Sequence, residues 1–290
     1  MKISSLIFTG PGEARIQSEE ISEPGTGEVR VKNSVSGVSS GSEMLIYRGH
    51  APENLPLDEG IRALEGDMSY PLKYGYASVG TVTSLGSGCD SLWMGERVFC
   101  FHPHSEQYNV MTDQLIKLPP VMSDEAAIFI ANMETAVNLI QDASPLLGER
   151  VIIFGQGIVG LLLTAILSKY PLVDLITVDP IAERRKASLL AGAKSSFSPK
   201  RWLEVPEESL SRNGVNAADL AFEVSGAPDA LNQAISAVGF DGRVVIGSWY
   251  GTKPVEVDLG GRFHRDRIQI ISSQVSTCLL YTSPSPRDRS

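Results

Sequence analysis

Apolar positions in residues 1–118 recur in short alternating runs. Residues 28–35 (EVRVKNSV), 77–85 (ASVGTVTSL) and 97–101 (RVFCF) are β-rich and separated by Gly and Pro, which predicts short strands in a compact β-barrel-like domain. Residues 41–68 hold a helix start followed by the polar stretch APENLPLDEG, read as a loop. The texture changes after Leu118-Pro119-Pro120. Ser123 is an N-cap residue with Asp124 and Glu125 in the first turn, ahead of the helical run AAIFIANMETAVNLIQDA. Strands and helices then alternate: strand 151–154, helix 160–169, strand 175–178, helix 182–191, strand 220–224, helix 228–238 and strand 243–247. Alternating βα units predict an α/β domain with a parallel doubly wound sheet. The expected domains are 1–118 and 119–277. The nearly apolar run 151–167 has only 17 residues and contains Gly155, Gln156, Gly157 and Gly160, so it reads as strand, turn and helix rather than a membrane span.

Composition narrows the class. Apolar residues make up 42% and charged residues 20%, enough for a core and too apolar for disorder. A net charge of −9 argues against nucleic acid or an anionic membrane as partner. Three Cys with no CxxC pair fit a reducing compartment and no Cys-rich zinc site. A cytoplasmic protein with a small-molecule partner is expected. Residues 278–290 (CLLYTSPSPRDRS) have no period and turn abruptly to Ser, Pro and Arg. One codon choice for residues 278–288 spells the mosaic end and flank of a transposase-based sequencing adapter. The tail is therefore expected to be non-native, with the natural sequence continuing differently past Thr277.

VIIFGQGIVGLLLTAILS carries Gly155-x-Gly157-x-x-Gly160 between a strand and a helix. Gly155 suits the tight turn, Gly157 lets backbone approach a pyrophosphate, and Gly160 lets helix and strand pack closely. The N–H groups of Gln156, Gly157, Ile158, Val159 and Gly160 are candidates to face phosphates. Asp179, 19 residues past Gly160, is the expected acceptor for ribose hydroxyls and favours NAD over NADP. Arg184 and Arg185 could attract a 2′-phosphate. Ser225, Gly226, Gly247 and Ser248 follow parallel strands, where open sheets bind ligands.

The order of parts resembles the medium-chain dehydrogenase/reductase (MDR) superfamily from about Lys2 to Thr277. The stretches that carry it are SGVSSGSE (36–43), YPLKYGYASVGTV (70–82), GERVFCF (95–101) and FIANMETAVNLI (129–140). SSGSE, KYGYASVG and VFCFHPH resemble a zinc-free branch that includes bacteriochlorophyllide 2-desacetyl-2-hydroxyethyl dehydrogenase-like proteins. The resemblance implies an N-terminal GroES-like barrel, a Rossmann domain, a cleft between them, and a homodimer for the full-length protein. Three places depart from the family. Ser39 stands where the first zinc ligand is expected, Tyr76-Ala77 where a His-Glu pair is expected, and Ala131 near the third ligand. No metal is expected.

Without zinc, hydroxyl groups near the vacated place are the candidates for chemistry: Ser39, Ser40 and Tyr76, with Thr135 expected beside the nicotinamide. Asn132 and Glu134 could line the same cleft. His102-Pro103-His104 could place two rings on one strand face, as a metal pair or a proton donor. His50 and His264 read as surface residues, residues 262–267 as a charged turn facing solvent or the other domain, and Cys100 as core. The expected activity is hydride transfer between NAD(P) and an alcohol/carbonyl or activated alkene. A non-catalytic dinucleotide sensor is the alternative. A class I methyltransferase fits less well, because Phe154 precedes Gly155 and the third glycine comes one step late.

Overall fold

A computed structural model describes residues 1–52, 55–58, 60–204, 211–212, 215–216 and 218–275. The chain divides into two units, Met1–Ala131 and Asn132–Val275.

The first unit holds β1 (Lys2–Gly10), β2 (Glu13–Glu20), β3 (Glu28–Ser36), α1 (Ser42–Tyr47), β4 (Ser78–Leu85), β5 (Arg97–Cys100), β6 (Gln107–Met111), β7 (Leu115–Lys117) and α2 (Asp124–Ala127). β1 and β2 form an antiparallel hairpin that was not expected from the pattern. The other strands make a five-stranded antiparallel sheet in the order β6-β3-β4-β5-β7. Both of its faces are buried. Val29, Val31, Val82, Val98 and Tyr108 pack on one side; Val79 and Phe99 pack on the other against Ala127, Ile128 and Ala131. Shifts in register along β3 and β4 bend the sheet, as bulges do. Those packed residues also explain why this unit runs to Ala131 rather than 118.

The second unit takes in most of α3 (Ile130–Ala143). It then holds β8 (Arg150–Phe154), α4 (Ile158–Leu167), β9 (Asp174–Val178), α5 (Ala182–Leu190), β10 (Ser195–Phe197), α6 (Pro199–Leu203), β11 (Ser211–Arg212), β12 (Val215–Asn216), β13 (Ala218–Glu223), α7 (Pro228–Ala237), β14 (Val238–Ile246) and β15 (Gln269–Ser272). Its six-stranded parallel sheet runs β10-β9-β8-β13-β14-β15. In sequence order this is 3-2-1-4-5-6, the doubly wound Rossmann arrangement. Alternate residues of each central strand serve opposite cores. Ile152 and Phe154 pack with Leu231 and Trp202, while Val151 and Ile153 pack with Leu163 and Leu139. That two-sided burial is why these strands read as continuous apolar runs.

The N-cap at Ser123 forms, its side chain accepting from the Ala126 N–H, but the expected helix breaks into α2 and α3 around Ile128–Phe129. The run 151–167 is β8, the glycine turn and α4. No helix among the described residues is long and apolar enough to cross a membrane. The expected adapter-derived tail lies outside the described residues.

Candidate functional site

The glycine turn joins β8 to α4 at the point where strand order reverses, between β8 and β13. Each glycine meets a different constraint. Gly155 has φ +99°, and a Cβ there would sit 2.7 Å from the Ser225 backbone. A Cβ on Gly160 would lie 2.0 Å from the Gly155 carbonyl. A Cβ on Gly157 meets nothing within 4 Å, and Gly157 has ordinary extended backbone. Folding therefore demands Gly155 and Gly160, whereas Gly157 keeps space open in front of the helix. The first N–H groups of α4 have no partner within the helix and converge on that space.

Gln156 differs from the expectation that it faces a ligand. It is fully buried, donates its amide to the Gly155 carbonyl and accepts from the Thr164 hydroxyl (3.0 Å), so its side chain ties the turn together. Its backbone N–H donates to Asp179 Oδ2 at 2.7 Å, and Ile181 N–H donates to the other oxygen at 2.8 Å. Asp179, 2% exposed at the end of β9, is thereby locked beside the turn with lone pairs to spare. Arg184 Nη1 lies 3.9 Å from it, while Arg185 is spent on the carbonyls of Asp179 and Pro180.

Sequence reading missed the buried acid at the end of β13. Glu223 Oε1 accepts from the N–H groups of Ser225 and Gly226 and from the Ser225 hydroxyl, and Oε2 accepts from the Tyr250 hydroxyl at 2.5 Å. Burial, then the adjacent Glu223 charge, raises the Tyr250 hydroxyl pKa, so this proton stays on. Gly226 N–H also donates to Ser248 Oγ at 2.8 Å. Ser225, Gly226 and Ser248 thus form one edge at the carboxyl ends of β13 and β14. A Cβ on Gly247 would strike Leu139 of α3 at 2.7 Å, which makes this glycine a packing residue. The signal for Glu223 was an acid at the end of the apolar run LAFEV.

In the first unit, the segment before α1 and the segment before β4 come together. The Tyr76 hydroxyl lies beside the Ser39 and Ser42 side chains and feels the charge of Glu43. Burial pushes its pKa up, so Tyr76 is a protonated donor at neutral pH. Ser39 Oγ also accepts from Ser42 N–H at 3.3 Å, whereas Ser40 is exposed. Glu43 is 1% exposed and divides its oxygens: Oε1 accepts from Ser39 N–H and Oε2 meets His104 Nε2, both at 2.8 Å. The second ring nitrogen, Nδ1, lies 2.8 Å from Ser36 Oγ. Gly75, at φ +130°, makes room: a Cβ there would sit 2.8 Å from His104 Nε2. The spacing Ser40-x-x-Glu43, a capping-box pattern, was a signal for Glu43; nothing local pointed to its partner 61 residues away.

His102 and His104 do not share a strand face. They lie outside the strands, and His102 stacks on Tyr108 with ring centroids 3.7 Å apart. Burial pushes its pKa down to about 4, leaving it neutral and unsuited to proton donation at neutral pH. Cys100 is core, its thiol pushed up to about 12 by burial. Thr135, Asn132 and Glu134 lie on α3; burial raises the Glu134 pKa. Arg262 does not face solvent alone. It holds the carbonyls of Ser236 and Val238 and the Asp266 carboxylate. His50 and His264 are exposed.

The family profile described as Zinc-binding dehydrogenase matches residues 159–283. The (R,R)-butanediol dehydrogenase of Bacillus subtilis is 29% identical over 93% of this chain and 83% of its own. The starvation-sensing protein RspB of Escherichia coli is 24% identical over 94% of this chain and 84% of its own. A solved structure of an Escherichia coli alcohol dehydrogenase (rspB) complexed with NADH superposes with a TM-score of 0.77, at 23% identity, covering 96% of this chain and 85% of that one. The curled antiparallel sheet and the 3-2-1-4-5-6 parallel sheet with its glycine turn are thus the fold of that solved dehydrogenase, and residues 159–283 are similar to the zinc-binding dehydrogenase family.

Proposed function

We propose that the protein is a zinc-independent oxidoreductase that moves a hydride between NAD(P) and an alcohol/carbonyl, or an activated alkene. The observation that carries this reading is the Tyr76–Ser39–Ser42 hydroxyl cluster, with the protonated Tyr76 as its donor. A carbonyl becoming an alkoxide needs such a donor, and the nicotinamide when bound supplies or takes the hydride.

The residues of the glycine turn fit a dinucleotide. The open space at Gly157 and the free N–H groups of α4 suit a pyrophosphate, with Ile158 and Val159 supplying backbone donors. Asp179 is placed to accept from ribose hydroxyls, and Ser225, Gly226 and Ser248 form the edge across the turn. Arg184 beside Asp179 is the group that would meet a 2′-phosphate. Asp179→Ser is expected to weaken NADH binding about 10-fold, the worth of a charge-assisted hydrogen bond, and to narrow the preference over NADPH; titrating intrinsic fluorescence with each cofactor checks this.

The donor set does not fit a catalytic zinc. Such a zinc takes three protein ligands from Cys, His and Asp/Glu. Around Tyr76 the described residues offer Glu43 and His104, already bonded to each other, together with hydroxyls. No group of three metal-ligating side chains stands among the described residues. The same substitutions support a second reading, a dinucleotide-binding sensor without catalysis.

NADH fluorescence on mixing, followed by turnover with a panel of ketones, quinones, enones and secondary alcohols, separates the two. Binding with turnover that survives exhaustive chelation is the expected result. Binding with no turnover favours the sensor, and no binding contradicts both.

A further inference from the structure

We propose that Lys253 is a phosphate-recognition residue of the dinucleotide site, meeting the phosphate on the nicotinamide side of the cofactor. This rests on the oxidoreductase reading and supplies what the glycine turn lacks, a full positive charge. The turn and the start of α4, residues 155–163 (GQGIVGLLL), carry no charged side chain. Helix N–H groups favour an anion by a partial charge only.

The turn after β13 lies directly against the glycine turn, since a Cβ on Gly155 would sit 2.7 Å from Ser225 Cα. Gly226, the next residue, has both backbone groups engaged. Its N–H donates to Glu223 Oε1 at 3.2 Å and Ser248 Oγ at 2.8 Å, and its carbonyl accepts from Lys253 Nζ at 2.9 Å. The ammonium therefore stands one residue away from the wall of the glycine turn. Lys253 itself belongs to a tight turn after β14, closed by its N–H on the Tyr250 carbonyl at 3.2 Å, with Gly251 at φ +62°. The Tyr250 hydroxyl fastens that turn to Glu223 Oε2. A flexible side chain is thus fixed at its backbone and at its tip, which lowers the entropy lost when it meets a ligand.

Charge says what it meets. Asp179 and Glu223 place two buried carboxylates at the carboxyl ends of the strands, and a dinucleotide adds two negative phosphates. Arg184 and Arg185 serve the β9 side, one 3.9 Å from Asp179 and the other on carbonyls. Half-buried Lys253 makes no ion pair among the described residues, and Gly226 takes one of its three ammonium hydrogens. A carbonyl needs only a neutral donor, so the charge is left for an anion. Strand order says which phosphate. β9, with Asp179 for the adenosine ribose, and β13 flank β8 on opposite sides. A dinucleotide lying across that switch point turns its nicotinamide-side phosphate toward β13.

The test titrates the full chain with NADH, ADP-ribose and AMP by calorimetry. Lys253→Gln keeps an amide donor for the Gly226 carbonyl and removes the charge. It is expected to weaken NADH and ADP-ribose about 10-fold, the worth of a charge-assisted contact. AMP lacks the nicotinamide-side phosphate, and its affinity should stay within about twofold. Raising salt from about 0.05 M to about 0.5 M should weaken ADP-ribose binding more in the parent than in Lys253→Gln, because screening removes what the substitution has already taken away. Parent-like NADH and ADP-ribose affinities in Lys253→Gln would overturn the proposal while leaving the oxidoreductase reading intact. An equal loss for AMP also overturns it, since that marks damage to the whole site. A parent protein that binds no NADH sinks the oxidoreductase reading first, and the proposal with it.

Discussion

Replacing Gly157 with Trp is expected to abolish NADH binding, a loss of at least about 100-fold in affinity, while the melting temperature stays within about 3 °C of the parent. The asymmetry comes from what surrounds each glycine. Gly155 and Gly160 are closed in by backbone, so a side chain at either breaks the turn before it can affect a ligand. Gly157 faces open space, and a side chain there costs the fold little but fills the volume in front of the α4 N–H groups. Fluorescence titration with NADH beside a thermal melt reads both quantities. A Gly157→Trp protein that binds NADH normally would show that the dinucleotide sits elsewhere.

Tyr76→Phe is expected to lower kcat by about 100- to 10,000-fold, the range for loss of a positioned proton donor, with NADH affinity unchanged. The phenyl ring keeps the packing of Tyr76 and removes only the oxygen beside Ser39 and Ser42. Ser39→Ala should only slow turnover, since Tyr76 retains Ser42 and the Glu43 oxygen still accepts from the residue 39 backbone N–H. Steady-state kinetics with the best panel substrate checks both. Equal, small losses in the two variants would move the donor role away from Tyr76.

Much of the second unit was legible along the chain because its determinants are local. A continuous apolar run such as VIIF belongs to a strand buried on both faces, and the Gly155-x-Gly157-x-x-Gly160 turn with Asp179 follows from the residues a tight βα turn tolerates. Gln156 was the exception. Its backbone N–H was grouped with the ligand-facing donors, but it is spent on Asp179, and its buried side chain bonds the Gly155 carbonyl and the Thr164 hydroxyl.

The first unit was legible in kind and not in detail. Ser39 and Tyr76 stood out as hydroxyls at places where the family resemblance expects ligands, and the fold brings them into one cluster. Glu43 and His104 did not stand out as a pair, because neither has a periodicity or a neighbour in sequence that reveals the other. His102 and His104 looked equivalent at i,i+2 until packing separated them, one onto the Tyr108 ring and the other onto Glu43. The amino-acid sequence by itself determined the two-part architecture, the parallel sheet and the glycine turn, since each depends on contacts within a few residues or on the burial of whole strands. Only the tertiary structure decided which acid meets which histidine, which glycine leaves space for a ligand and where Glu223 spends its oxygens. Those are matters of a few ångströms between segments tens of residues apart, set by the curl of the antiparallel sheet and the strand order of the parallel one.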